Sequence, residues 1–314
     1  MTRQARVRAL AKINLGLRVL GRRPDGYHEL RTVFQTISLA DTINLAFTPA
    51  RRTAIALEDE LNIPDNLAAR AAALALDAMK ISGRVEMRLE KSIPMGAGLG
   101  GGSSDAAAVL LALPPLAGGA LTMEQLLGLA QQLGSDVAFF LLGGTAVGIG
   151  RGSELYPLPD GPPQRGVLIA PGIHVSTAEA YRRLGSRLTS ESQQNKIFSF
   201  LSLVWDRGPE GTPGKAPAND FEPVVFEQHR RIGAIKKKLI GAGASAALMT
   251  GSGSAVFGLF PSAGGVTRAL ESVGDEKAFR ISLISRARYR SLWWRALEKH
   301  ITGRIWPPRS RYAR

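Results

Sequence analysis

The residues best suited to chemistry stand in one run: Pro94, Met95, Gly96, Ala97, Gly98, Leu99, Gly100, Gly101, Gly102, Ser103, Ser104 and Asp105. Successive glycines let backbone N–H groups converge on anionic oxygens, and a helix that follows adds the positive end of its dipole. The chemistry this favours is phosphate binding. Alternating Val85, Met87 and Leu89 predict a strand just before the run, and the apolar stretch after Asp105 predicts a helix. Gly96, Gly98 and Gly101 also satisfy the dinucleotide fingerprint, but the run lies far from the N-terminal strand. Moreover, no acid ends a second strand about 20 residues further on. A Walker A loop is excluded, because no Lys-Ser or Lys-Thr follows the glycines. The bland alternative is a glycine-rich turn capped by two serines.

Other candidates are weaker when taken singly. Lys12 and Asn14 fall on the polar face of the first strand, where an isolated lysine is usually solvated. Asp136, in GSDVAFF, reads equally well as an acid at a helix start. Tyr27-His28 sets an aromatic beside a donor-acceptor ring, a pair suited to stacking a pyrimidine and reading its edge. By themselves, Tyr27 and Tyr181 would be ordinary half-buried aromatics. Gly251 and Gly253 either admit a close backbone approach to a ligand or simply permit a turn.

The elements that must position these groups are legible from periodicity. Val7, Ala9, Ala11, Ile13, Leu15, Leu17 and Val19 alternate with Arg6, Arg8, Lys12, Asn14 and Arg18, predicting a strand buried on one face. Pro24-Asp25-Gly26 supplies a turn. The β-forming residues from Thr32 to Leu45 are interrupted by Asp41, which predicts a meander. Helices are expected over Asn66–Met79, from the Thr122/Gln125 capping box to Gly134, and briefly after Ser135-Asp136. A Pro/Gly-rich passage, LPDGPPQRG, marks a domain boundary near Pro159. Beyond it come a strand (GVLIAP), a helix at Ala178–Leu184, a helix at Ile232–Leu239, and a hairpin ALMTGSGSAVFGLF. A helix at Val266–Val273 and a strand at Phe279–Ile284 follow. Strands of this kind with helices on one side predict an α+β sandwich. The expected division is 1–159, 160–285 and a tail at 286–314.

Composition narrows the function classes. No apolar run approaches the roughly 20 residues of a spanning helix. The basic N-terminus lacks the uninterrupted apolar region of a signal peptide, so it reads as mature sequence. The absence of cysteine rules out disulfides and thiolate chemistry and fits a reducing cytoplasm. The net charge of +14 is concentrated at the end: residues 286–314 hold nine Lys or Arg against the single acid Glu298. The body therefore does not read as a dedicated nucleic-acid binder. In the tail, Tyr289, Leu292, Trp293, Ala296, Leu297 and Ile301 recur at helical spacing among arginines. Adjacent Trp293 and Trp294 are costly to leave in water, so this basic amphipathic helix is expected to dock on the body or on a second subunit. Nothing in the sequence sets an oligomeric state.

The run PMGAGLGGGSSDAA resembles the phosphate loop of the GHMP kinase superfamily, in its longer GLGGGSSDAA form. LAKINLGLRVLGRRPDGYHEL, GSDVAFFLLGGTAVGIGRGSEL, ANDFEPVV and LMTGSGSAVFG extend the resemblance, in order, over about residues 5 to 285. It departs at Ser186–Ala218 and beyond Ser285. The resemblance implies a two-domain GHMP kinase fold, with an N-terminal domain like a ribosomal protein's second domain, a ferredoxin-like C-terminal domain, and a substrate cleft between them. It implies a bacterial, cytoplasmic enzyme of isoprenoid precursor synthesis, using ATP and Mg²⁺ to phosphorylate the 2-hydroxyl of a cytidine-diphosphate-linked polyol.

The same resemblance assigns roles. Asp136 is the base, kept ionised by Lys12; Asn14, beside Lys12, binds substrate, as do Gly251 and Gly253; Ser103 and Ser104 touch phosphate or metal; and Asn66 and Lys91 lie near the nucleotide. Tyr27 and Tyr181 sandwich the cytosine, with His28 and Thr177 adjacent. The metal ligands stay unassigned. Rival readings are a homoserine- or mevalonate-type GHMP kinase, and a nucleic-acid or membrane-surface binder acting through the tail. Since every residue assigned to phosphoryl transfer precedes the tail, its removal after Ser285 is expected to lower stability or solubility and leave kcat within a few-fold.

Overall fold

The computed structural model describes residues 1–185 and 218–301. Nearly all of the stretch Ser186–Ala218, and residues 302–314 of the tail, lie outside the described residues. Two strands organise the first half: β1 (Arg3–Arg22) and β2 (His28–Pro49) run antiparallel along their whole length on either side of the Pro24-Asp25-Gly26 turn. β2 is one continuous strand and not a meander. Asp41 does not break it, because the fully buried carboxylate accepts from the N–H groups of Ser92 and Ile93 and from Lys91 Nζ. A buried acid is tolerated in a strand when its oxygens are bonded in this way.

β3 (Ala54–Asp59) and β4 (Gly83–Glu90) pair in parallel, and β4 joins the C-terminal half of β2. β5 (Thr145–Gly150) and β6 (Glu154–Pro157) extend the sheet from the other half of β2. Helices α1 (Leu67–Met79), α2 (Gly101–Ala117), α3 (Met123–Leu133) and α4 (Val137–Leu142) belong to this half. α2 is buried almost all round and continues through Pro114 and Pro115 in its last turn, where each proline leaves the carbonyl four residues earlier without its helical N–H donor.

The second sheet has the order β10-β7-β9-β8, from β7 (Arg165–Ile169), β8 (Ala246–Met249), β9 (Val256–Phe260) and β10 (Ala278–Ser282). With it go α5 (Thr177–Gly185), α6 (Glu222–Gln228), α7 (Arg230–Gly241) and α8 (Ala263–Val273). Their apolar faces form a core around Val167, Phe221, Val225, Ile232, Leu239 and Val266. The chain then forms α9 (Arg286–Leu297), which returns to the first half and buries Tyr289, Trp293 and Leu297 in the core shared with α2 and α4. Each such side chain contributes about 1.5–3 kcal/mol on burial.

β1 departs from the sequence expectation of one buried face. From Leu10 to Leu17 it is buried on both. Ala11, Ile13 and Leu15 pack against Leu168, Leu248 and Phe257 of the second sheet, while the face of Leu10 and Lys12 looks toward α2 and the glycine loop. The polar residues on that second face are therefore enclosed, and Lys12 keeps only 4% of its surface in water.

Candidate active site

β1 carries register shifts between Leu10 and Lys12 and between Asn14 and Gly16, so the two polar residues sit on a short segment flanked by irregularities. Bulges of this kind re-aim side chains and terminate regular pairing. The backbone N–H of Lys12 donates to Leu99 O (3.1 Å), tying the segment to the glycine loop. Lys12 Nζ donates to Asn14 Oδ1 (2.9 Å) and lies 3.4 Å from Asp136 Oδ2. It also stands 5.3 Å from the centre of the Phe34 ring. Asn14 Nδ2 donates to Thr32 Oγ1 (2.7 Å), and that hydroxyl donates to Gly16 O (2.8 Å). The second half reaches in through Thr250, whose Oγ1 accepts from Asn14 N (3.0 Å) and lies 3.1 Å from Asn14 Oδ1.

Asp136 stands at the N-cap position just before α4, and its side chain makes no capping bond there. The carboxylate is instead 30% exposed, facing a cleft of about 1780 Å³ between the two halves. The ammonium beside it is nearly sealed and the acid is open, an arrangement that leaves a carboxylate oxygen accessible for a substrate proton.

The cleft brings together eleven of the residues singled out in the sequence: Lys12, Asn14, Tyr27, His28, Gly98, Gly100, Ser103, Asp136, Thr177, Tyr181 and Gly251. Gly98 (φ 78°) and Gly100 (φ 70°) take left-handed backbone conformations. A Cβ on Gly98 would meet Thr250 O at 2.3 Å, and one on Gly100 would meet the Phe140 ring at 2.9 Å. The loop thus has room only for bare backbone between the second half and α4, which leaves its amides at the cleft wall.

The remaining candidates lie off the cleft. Ala97 and Leu99 are buried between the two sheets, whereas Met95 is exposed at the loop tip after Pro94. Gly96 faces His174, Gly101 faces Ile93 and Lys91, Gly102 faces Leu67, and Gly253 packs on Met249. Ser104 is fully committed inward, its Oγ donating to Leu10 O (2.7 Å), so of the two serines only Ser103 faces the cleft. Asn66 caps α1 by accepting from Ala68 N (2.9 Å). Lys91 is turned inward between Asp41 Oδ2 (2.5 Å) and Asp105 Oδ2 (2.7 Å). Burial lowers the pKa of this ammonium, but Asp105 and Asp41 together outweigh it and hold Lys91 above its ordinary value. Burial pushes the Asp105 carboxyl up to about 7, against the pull of Lys91. The sequence reading placed Lys91 and Asn66 near the nucleotide; here their polar atoms are engaged by the protein.

At the other end of the cleft, His28 stacks on Tyr181 at 4.5 Å and 22°. Tyr181 also meets Phe221 edge-on at 4.8 Å. Burial, and secondarily the charge of Asp136, pushes the Tyr181 hydroxyl up to about 12. Burial, and then Arg22, lowers the His28 pKa, which favours the neutral ring that both donates and accepts. Tyr27 is exposed on one side, and the other carries the Arg151 guanidinium 3.7 Å from the ring centre. Arg151 is held by Asp25 (3.0 Å), whose pKa falls to about 2, chiefly through that bond. Thr177 Oγ1 and Ser252 Oγ share a hydrogen bond of 2.8 Å.

Sequence reasoning missed Thr250, Thr32, Arg151 and Asn219. The Asn219 amide donates to Met249 O (2.7 Å) and Gly251 O (2.8 Å), fixing the loop that faces the glycine run. Asn219, Thr250 and Arg151 lie within the segments ANDFEPVV, LMTGSG and GIGRG, which the sequence already marked, and their partners are distant in the chain.

A glycine loop leading into α2, a lysine–aspartate pair beside it, and a cleft between two α+β halves define a small-molecule kinase of the GHMP type. The GHMP kinases N terminal domain matches residues 66–144, and the GHMP kinases C terminal domain matches residues 212–278. A 4-diphosphocytidyl-2-C-methyl-D-erythritol kinase of Solibacter usitatus is 63% identical over 99% of this chain and 98% of its own. The crystal structure of a 4-(cytidine 5'-diphospho)-2C-methyl-D-erythritol kinase superimposes with TM-score 0.72 and 38% identity, covering 90% of this chain and 99% of the other. The chain belongs to the 4-diphosphocytidyl-2-C-methyl-D-erythritol kinase family. A homoserine kinase structure from Cytophaga hutchinsonii shares the fold, with TM-score 0.70 at 18% identity over 90% of this chain and 95% of the other.

Proposed function

We propose that the cleft transfers the γ-phosphoryl group of ATP to the 2-hydroxyl of 4-diphosphocytidyl-2-C-methyl-D-erythritol, in the bacterial cytoplasm, as a step of isoprenoid precursor synthesis. The observation that carries this reading is the open Asp136 carboxylate 3.4 Å from the sealed Lys12 ammonium, at the mouth of the glycine loop. Asp136 accepts the proton of the attacking hydroxyl, and Lys12 meets negative charge as it develops. Lys12 is held for this by Asn14, which Thr32 and Thr250 hold in turn.

The loop amides around Gly98 and Gly100, with the N-terminal end of α2, receive the phosphates. Such a transfer needs little covalent help and much charge stabilisation. Among the described residues no three acidic or histidine side chains cluster to hold a metal. The hydroxyl of Ser103 and the carboxylate of Asp136 on the cleft wall fit Mg²⁺ carried in on the nucleotide's phosphates, where it would neutralise their charge. Tyr27, His28, Tyr181 and Thr177 receive the cytidine end, and Gly251 lets backbone approach the substrate's diphosphate. Among the described residues no helix is long and apolar enough to cross a membrane.

The test is ADP release by the purified protein with ATP, Mg²⁺ and a panel of alcohols. Turnover is expected with the cytidyl-linked substrate and little with free methylerythritol, because binding at the cytosine positions the distant hydroxyl. Equal turnover of the two would sink the assignment.

A further inference from the structure

α4, which opens at Asp136, has only six residues, Val137–Leu142. Helices this short are unstable alone, and their terminal carbonyls lack partners within the helix. Something outside α4 must therefore set its position. α9 does so at three points. The buried Tyr289 hydroxyl donates to Phe140 O (2.5 Å), and burial raises its pKa, keeping it a donor. The Tyr289 ring lies over Gly143, the residue that ends α4, where a Cβ would meet the ring at 2.2 Å. The Arg286 guanidinium donates to Thr145 O (2.5 Å) and Leu158 O (3.1 Å), gripping the strand that follows, and a Cβ on Gly144 would strike Arg286 Cβ at 2.7 Å. The turn Gly143-Gly144 is bare where α9 crosses it.

The contacts continue into the site. The Phe140 ring abuts Gly100 of the phosphate loop, and Phe139 packs at 5.1 Å on Phe34, over which Lys12 Nζ lies. We infer that α9 is a brace for the catalytic helix, with Tyr289 a positioning residue that fixes Asp136 relative to Lys12 and the glycine loop. The inference rests on the reading of Asp136 as the base. It reverses what chain order suggests: the tail follows every assigned catalytic residue in sequence, yet losing α9 costs turnover as well as stability. Positioning errors near 1 Å at a reacting group lower rates by up to about 10²-fold.

The experiment compares full-length Tyr289→Phe, Gly143→Ala and a control, Val273→Ala, which removes buried volume from α8 in the other core. Tyr289→Phe keeps the ring and deletes only the hydroxyl. It is expected to lower kcat per folded enzyme by about 3–10-fold, with KM for ATP and for the cytidyl substrate within about twofold, and to speed amide exchange at Phe140–Gly143. Gly143→Ala, which displaces the ring, is expected to lower kcat further. Val273→Ala should lower the melting temperature and leave kcat unchanged. Tyr289→Phe with wild-type kcat and unchanged exchange in α4 overturns the brace, as does a kcat loss in Val273→Ala that matches its fall in melting temperature. Asp136→Asn run in parallel separates the two readings: if it retains full kcat, the assignment of the base fails whatever Tyr289 does.

Discussion

Two buried lysines flank the glycine loop, and they have opposite company. Lys12, on the bulged segment of β1, faces one acid, Asp136, which is 30% exposed to the cleft. Lys91, at the end of β4, faces two acids, Asp41 and Asp105, which are 0% and 2% exposed. The lysines themselves are almost equally enclosed, so burial of the cation does not tell chemistry from architecture. The exposure of the acid does. A carboxylate that a substrate can reach is able to take the substrate's proton, whereas a sealed one is out of the substrate's reach and holds neighbouring elements together. The Lys91 cluster does the latter: Asp41 also takes the amides of Ser92 (2.6 Å) and Ile93 (2.8 Å), while Asp105 belongs to α2, so both ends of the loop are stapled to β2.

The largest effect that would sharpen this contrast is on stability. Lys91→Met leaves two buried carboxylates without their cation, and urea unfolding is expected to show a loss of about 3–5 kcal/mol. Undiminished stability with a raised KM for ATP would return Lys91 to the nucleotide. Next comes Asp136→Asn, expected to lower kcat by about 10²-fold or more while the melting temperature holds. A near-normal kcat would make the open acid a helix-start residue and erase the difference between the two clusters.

Smaller effects are expected at the cytidine end. Tyr27→Ala and Tyr181→Ala should each raise KM for the cytidyl substrate by about 5–100-fold, the range of a lost base stack, and leave KM for ATP nearly unchanged. If ATP affinity fell instead, the two ligands would be exchanged in the cleft.

The smallest effect is a pH dependence. Folded Asp105 keeps its proton up to about 7, whereas an unfolded carboxyl releases it near 4. The folded state therefore binds the extra proton between those values, and the contribution of this group to stability falls as pH rises through the window. Asp105→Asn should flatten that part of the stability profile, measured by denaturant titration from pH 4 to 8. A slope unchanged by the substitution would place the titration elsewhere.

The glycine loop and the helix signals were legible in the sequence because their parts are local, whereas the pairing of Lys12 with Asp136 was reached through the family resemblance. Gly98 and Gly100 stand where left-handed backbone and bare approach are both required, and only glycine meets both demands. Thr122 and Gln125 close the expected capping box, and Tyr289, Trp293 and Leu297 form the expected inward face of α9. What was misread depended on partners far off in the chain. Asp41 looked like a strand breaker because the amides it satisfies lie some 50 positions on. Lys91 could not be told from a nucleotide ligand until Asp41 and Asp105 were brought to it.

By itself the sequence determined the glycine loop and the α+β architecture, because periodicity, turn residues and backbone freedom are properties of neighbouring residues, and its motifs carried the kinase chemistry through their resemblance to the GHMP kinases. Only the tertiary structure decided which polar groups meet water and which meet each other. The second sheet takes one face of β1, and the glycine loop closes over the other, turning Lys12 from a surface residue into a sealed one. The returning α9 sets the helix that presents Asp136. Solvent exposure and charge pairing are fixed by surfaces contributed from opposite ends of the chain, and no local pattern encodes them.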